Sequence, residues 1–224
     1  MKRYQKQDFP VDQVRRFLEP GPVVLVSSAH RGQRNIMTLG WHMVLEFSPS
    51  LIACCIAPGN HSFELVRRSK QCVINLPTAE LLDTVVAIGN SSGAQIDKFA
   101  HFGLTAAAST QVDAPGIAEC YASFECRLHD GRQINRHNLF VWKVVHAHVA
   151  RPPAVPKTVH YRGDGRFMLS GAEVSRRRLF QTGDALAALK RLAVSGLSSL
   201  IVWLARHTLQ ITGRTASGSA TLAG

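Results

Sequence analysis

Residues 31–43 read RGQRNIMTLGWHM, and they do not follow the Val/Ile repeat of an ordinary core strand. The stretch holds a carboxamide (Asn35), a thioether (Met37), a hydroxyl (Thr38), a glycine (Gly40) and an indole (Trp41). Just before it, GPVVLVSS at 21–28 is short, β-branched and introduced by Gly-Pro, as a strand is. AHRGQR makes a turn centred on Gly32. SPSLIACCIAP at 48–58 is a third apolar run between prolines, the length of a buried strand. Three strands joined by short turns point to antiparallel β organisation and away from the strand–helix alternation of a dinucleotide-binding domain.

Further along, GNHSFELVRRSK (59–70) reads as a turn entering a helix, with Ser62 as the expected cap and Glu64 in the first turn. QCVINLP (71–77) returns to strand. In TAELLDTVVAIGN (78–90), Leu81, Leu82, Val85, Val86 and Ile88 fall at helical spacing, and Gly89-Asn90 supplies a stop. SSGAQIDKF (91–99) is a polar loop. AECYASFECRLHD (118–130) alternates, with Tyr121, Ser123, Glu125 and Arg127 on one side and Cys120, Ala122, Phe124, Cys126 and Leu128 on the other. HNLFVWKVVHAHVA (137–150) is the longest β-rich run, RPPAVPKT a connector, and VHYRGDGRFMLSG (159–171) a hairpin or irregular segment. The expected fold is mainly β with helical insertions, a barrel of about six or seven strands.

The expected domains are a body over residues 1–172 and a basic extension over 173–224. In the extension, Leu189, Leu192, Ala193, Gly196, Leu197, Leu200, Ile201 and Leu204 form one stripe of an amphipathic helix at about 184–209. A polar, disordered tail is expected after it. The chain's formal charge of +11 is uneven. Residues 1–150 hold 15 Lys and Arg against 12 Asp and Glu, whereas 151–224 hold 11 against 3. The excess therefore does not define the body, and nucleic acid is not the expected partner. A peripheral membrane contact through the Leu-rich face beside Lys190, Arg191 and Arg206 is the minority reading of the extension. MKRYQKQDFP carries no apolar signal core, and no apolar run reaches spanning length, so a cytoplasmic protein is expected. Five cysteines, at 54, 55, 72, 120 and 126, without a CxxC pair argue for reduced thiols and against a disulfide framework or zinc ribbon.

Familiar catalytic patterns are missing: the sequence has no HExxH or Walker A, and GNSSG (89–93) matches GxSxG in letters only, without the strand that leads into a nucleophile elbow. GNSSG (89–93) lacks dinucleotide spacing and follows a helix. HAH (146–148) puts two imidazoles on one face of a strand, but with no third ligand evident a packed or solvated pair is favoured over a metal. PGNHSFEL offers free backbone N–H groups, a hydroxyl and the positive end of a helix dipole, the parts of an anion site. Lys98 in IDKF could reach the same anion.

Taken in order, NIMT with Trp41, NHSFEL, SSG…DKF and the Glu125-Cys126 pair resemble the flavin reductase-like family of FMN-binding split barrels, its flavoredoxin branch above all. The resemblance covers roughly residues 15–170. It implies a homodimer with FMN near the subunit interface. It also implies that NIMT lies along the flavin ring, with Asn35 and the backbone of Met37 and Thr38 at its polar edge and Trp41 and Met37 in apolar contact. Cys54, Cys55 and Ile56 would lead the cofactor toward its phosphate, and Asn60, His61, Ser62 and Lys98 would bind phosphate or ribityl oxygens. No catalytic side chain is expected, because FMN carries the chemistry at N5. The leading functional expectation is transfer of hydride from NADH or NADPH to flavin and on to free flavin or a similar acceptor. The alternative is an FMN electron carrier serving redox partner proteins, without its own nicotinamide site. A basic module binding nucleic acid or anionic membrane through its last third is the reading from another class.

Overall fold

A computed structural model describes residues 1–14, 21–151, 156–176 and 179. In chain order its strands are β1 (Lys6–Asp8), β2 (Val24–His30), β3 (Gln33–Leu39), β4 (His42–Glu46), β5 (Leu51–Cys55), β6 (Gln71–Leu76), β7 (Ala106–Ala107), β8 (Gly116–Ile117), β9 (Ala122–Asp130), β10 (Leu139–Ala150), β11 (Val159–Gly163) and β12 (Arg166–Leu169). The α-helices are α1 (His61–Ser69), α2 (Leu82–Gly89), α3 (Lys98–His101) and α4 (Ile134–His137). The chain divides into units of Met1–Gly171 and Ala172–Gly224, and these strands and helices belong to the first. The helix expected over 184–209, and the membrane contact considered for it, lie outside the described residues. Among the described residues no helix is long and apolar enough to cross a membrane.

An eight-stranded antiparallel sheet runs β3-β2-β6-β9-β10-β5-β4, with β1 paired to the end of β10. The extra strand over the expected number is β1, whose polar Lys-Gln-Asp sequence carries no apolar signal. Between β2 and β3 the chain turns through Arg31 and Gly32, both at positive φ (49° and 79°), the conformation a two-residue hairpin loop needs. The second of the three strands expected from the sequence, between the AHRGQR turn and SPSLIACCIAP, is broken at Gly40 and Trp41. β3 stays beside β2 while β4 pairs with β5, at the opposite end of the strand order. The two edges of the sheet are thus joined through two residues, so the sheet must curl until they meet.

The curled sheet encloses one core. Val24 and Val26 of β2, Met37 and Leu39 of β3, Ile52 and Cys54 of β5, Phe124 of β9 and Phe140 and Trp142 of β10 share it, and α1 stops one mouth with Phe63 and Val66. The rings of Phe140 and Trp142 stack at 5.5 Å. Outside, Leu25 and Ile36 pack against Leu81, Val85 and Ile88 of the α2 region and Phe99 of α3. Covering β2 on both faces explains why PVVLV is continuously apolar where a half-exposed strand would alternate. Cys54, Cys72, Cys120 and Cys126 are buried, Cys55 is half-buried, and none is paired. The alternation read in 118–130 holds within β9, where Ala122, Phe124 and Cys126 face the core and Glu125 does not. Tyr121, before the strand begins, joins the core against expectation.

A buried carboxamide ties four strands together on the outer face. Asn75 of β6 donates through Nδ2 to the Leu25 and Val73 carbonyls (both 3.1 Å) and to Ser27 Oγ (2.9 Å). Its Oδ1 accepts from the Ile117 N–H (3.0 Å) and Ser123 Oγ (2.8 Å). Truncation to Asn75→Ala strands these buried groups without partners. Stability by urea denaturation is expected to fall by about 3 kcal/mol, with the unfolding slope unchanged.

Candidate functional site

α1 begins where Asn60, in extended conformation, accepts the Ser62 N–H through its side chain at 3.0 Å. The cap is therefore Asn60, and the expectation of Ser62 is corrected. Ser62 instead lies inside the helix and is fully buried, its Oγ accepting from Asn35 Nδ2 at 2.9 Å. Asn35, on β3, is buried as well, and Gly93 of the SSG loop lies hard against its carboxamide. A β-carbon at Gly93 would collide with the Asn35 side chain. Three motifs that are far apart in sequence, NIMT, NHSFEL and SSG, therefore lock at one point.

Beside that point lies an open cleft of about 460 Å³, lined by Gly32, Gln33, Arg34, His61 and residues 93–97. His61 is the first residue of α1, so the helix presents its positive end there. Arg34 stands at the rim with its guanidinium 2.8 Å from Asp97 and 4.9 Å from the centre of the Phe99 ring. Asp97 also caps α3, accepting the Phe99 N–H at 2.9 Å. The Arg34 hydrogen bond holds the Asp97 carboxyl below its ordinary pKa, so it keeps its charge. Anions are favoured by the helix end and by Arg34, with Asp97 moderating the field at one side.

The sequence-predicted residues divide into two groups. Asn35, Asn60, His61 and Ser62 gather at the polar end, where His61 meets the cleft and Asn35 and Ser62 lie beneath it. Lys98 is buried, and its Nζ donates to the Ile88 carbonyl at 2.8 Å, pinning the loop to the end of α2. Burial lowers its pKa from the ordinary value. Its ammonium, expected to reach the anion, is engaged here as a strut beneath the loop. Thr38 Oγ1 donates to the Val85 carbonyl at 2.7 Å, fastening the middle of β3 to α2. Met37 corrects another expectation: its side chain is in the barrel core, so only its backbone is left to meet a ligand. Cys54 and Ile56 likewise face the core. Trp41 is 75% exposed at the corner, and its carbonyl accepts the Cys55 N–H at 2.9 Å. Cys55 Sγ lies 3.5 Å from the His137 carbonyl.

Sequence reading missed Arg34 and Gly93. Arg34 stands on β3, in a segment whose sequence reads as a turn where arginine is unremarkable, and Gly93 reveals its role only once Asn35 is seen against it. From Asn35 to Trp41 the chain extends by up to about 20 Å, so the polar cleft and the exposed indole are two ends of an elongated surface.

The sequence and the fold are similar to those of known proteins. The family described as "Flavin reductase like domain" matches residues 15–167. An uncharacterized protein of Pyrococcus abyssi is 34% identical over 130 residues, covering 58% of this chain and 74% of its own. Among solved structures, an FMN-binding domain of a flavin reductases-like enzyme from Shewanella baltica superposes with a TM-score of 0.72 at 23% identity, over 78% of this chain and 99% of that one. The flavoredoxin of Desulfovibrio vulgaris gives 0.65 at 23% identity, over 73% and 92%. With a family match over residues 15–167 and a shared fold, the chain belongs to the flavin reductase-like family.

Proposed function

We propose that the protein binds FMN along β3 and uses it to pass hydride from NADH or NADPH to free flavin or a similar acceptor. The observation that carries this reading is the convergence of Asn35, Ser62 and Gly93 beneath an anion-favouring cleft, at one end of a strand whose other end presents an exposed indole. A phosphate suits the cleft, where the α1 N-terminus and Arg34 supply positive potential. A flat ring suits the far end, where Trp41 offers apolar area and the backbone of Met37 and Thr38 offers hydrogen bonds. FMN has both parts, and when bound it supplies the hydride chemistry.

The work left to the chain is positional. α1 and Arg34 anchor the phosphate, the Asn35–Ser62–Gly93 contact fixes the height of the cleft floor, and Thr38 holds β3 against α2. FMN would supply the hydride chemistry itself, so the chain would need to provide no side-chain acid or base. Catalytic groups therefore need not be sought among the buried carboxylates.

We also propose a homodimer. β4 is an edge strand, and with Trp41 before it exposes Met43 and Leu45, an apolar stripe of the kind a second subunit covers. FMN bound at Trp41 would then lie near the interface.

Purified protein is expected to be yellow, or to become so with added FMN, and acid is expected to release FMN at about one per chain. A protein that neither carries nor takes up FMN would overturn the reading. With FMN bound, steady-state oxidation of NADH or NADPH on adding free flavin is expected; its absence would reassign the protein as an electron carrier. Gly93→Ala, which displaces Asn35, is expected to weaken FMN binding by about tenfold or more, measured by quenching of flavin fluorescence. Met43→Glu, which buries a charge at the proposed interface, is expected to shift the protein from dimer to monomer in light scattering.

A further inference from the structure

β10 carries a bulge. Its register with β9 passes from Val144 opposite Cys126 to His146 opposite Glu125, leaving Val145 as the extra residue. Before the bulge Trp142 and Val144 face the barrel core; after it Ala147 and Val149 do. An unbroken strand would have sent His146 and His148 into the apolar interior, and the bulge turns both onto the outer face instead. β1 lies beside them there, with Asp8 directly opposite His148.

We propose that Asp8, His146 and His148 form a binding site for a first-row divalent cation of the Zn²⁺ type, clasping β1 to β10. One ligand atom from each residue lies within 4.8 Å of the other two. Asp8 Oδ1 is 3.3 Å from His146 Nε2 and 3.6 Å from His148 Nδ1. Two ligands bound at about 2.1 Å to a tetrahedral ion stand about 3.4 Å apart, so these separations need little adjustment.

The surroundings are those of a ligating imidazole. His148 Nε2 lies 3.1 Å from Oε1 of the buried Glu125. Glu125 is itself fixed by the N–H groups of Thr110 (2.8 Å) and Gln111 (2.6 Å). A carboxylate in that position accepts the Nε2 proton and leaves the Nδ1 lone pair directed at Asp8, the outer-shell arrangement that orients metal-bound histidine. His146 Nε2 is buried and makes no hydrogen bond, although Asp8 is beside it. No lysine or arginine among the described residues pairs with Asp8. Lys6, the next outward residue of β1, is held instead by the Ile117 carbonyl (2.7 Å) and Ser123 Oγ (2.8 Å). Two carboxylates and two neutral imidazoles balance one divalent ion. Asp8 is largely exposed, which leaves room for water to complete the coordination.

The site owes nothing to the flavin reading and is tested separately. Tag-free full-length protein is stripped with chelator, dialysed and titrated calorimetrically with ZnCl₂, and its melting temperature is followed with and without the metal. Uptake of one Zn²⁺ per chain and a zinc-dependent rise in melting temperature are expected. Asp8→Asn and His146→Ala, both on the outer face, are each expected to weaken binding at least tenfold and abolish that rise. Glu125→Gln is expected to lower affinity by about tenfold. Circular dichroism of the metal-free variants checks that the barrel persists. No zinc uptake by the parent protein, or unchanged affinity in folded Asp8→Asn and His146→Ala, would overturn the proposal.

Discussion

The corner at Gly40 and Trp41 sets the shape of the rest. β3 stands at one end of the strand order and β4 at the other, yet three peptide units join Leu39 to His42, so these sheet edges lie within about 11 Å. A flat sheet of that width cannot satisfy such a tether. Curling does, and it creates an inside that Met37, Ile52, Phe124 and Trp142 can fill and an outside that α2 and α3 must cover. Every side chain's direction is then dictated by the parity of its strand. A single bulge in β10 is enough to exchange core and surface positions over the strand's last residues.

The amino-acid pattern reveals much of this and hides some of it for definable reasons. Strands whose inner faces are apolar, such as β5, β6 and β9, announce themselves, and α2 shows its helical spacing. β1 is invisible because three polar residues have no periodicity; it exists only because β10 offers it a partner. The cap of α1 is ambiguous in the sequence because Asn60 and Ser62 are both good capping types, and only backbone conformation separates them. The division of β3 from β4 is hidden because residue type alone does not tell a corner from an irregular strand. The third residue beside HAH was out of reach for a plainer reason. Asp8 stands at the other end of the chain, and no local pattern connects it with His146.

The candidate cleft shows a similar split between what stabilises and what recognises. The Arg34–Asp97 pair is close, but both side chains are nearly half exposed, and such pairs contribute roughly 0–1 kcal/mol to folding. Its consequence is to keep a guanidinium at the rim in a defined orientation. The buried contacts below, Asn35 with Ser62 and Lys98 with the Ile88 carbonyl, rigidify the floor and take no part at the surface. Rigidity beneath and charge at the rim are what a site needs if it is to hold an elongated ligand in one pose.

The placement of the cysteines bears on chemical durability. Burial raises the Cys54 and Cys72 thiols well above their ordinary pKa and lifts Cys120 to about 12. At neutral pH almost none of these three is present as thiolate, the form that peroxides and disulfides attack. These three buried thiols are in this way made slow to react with oxidants, although sulfur supplies part of the packing. Sulfur serves there as apolar bulk and not as a nucleophile.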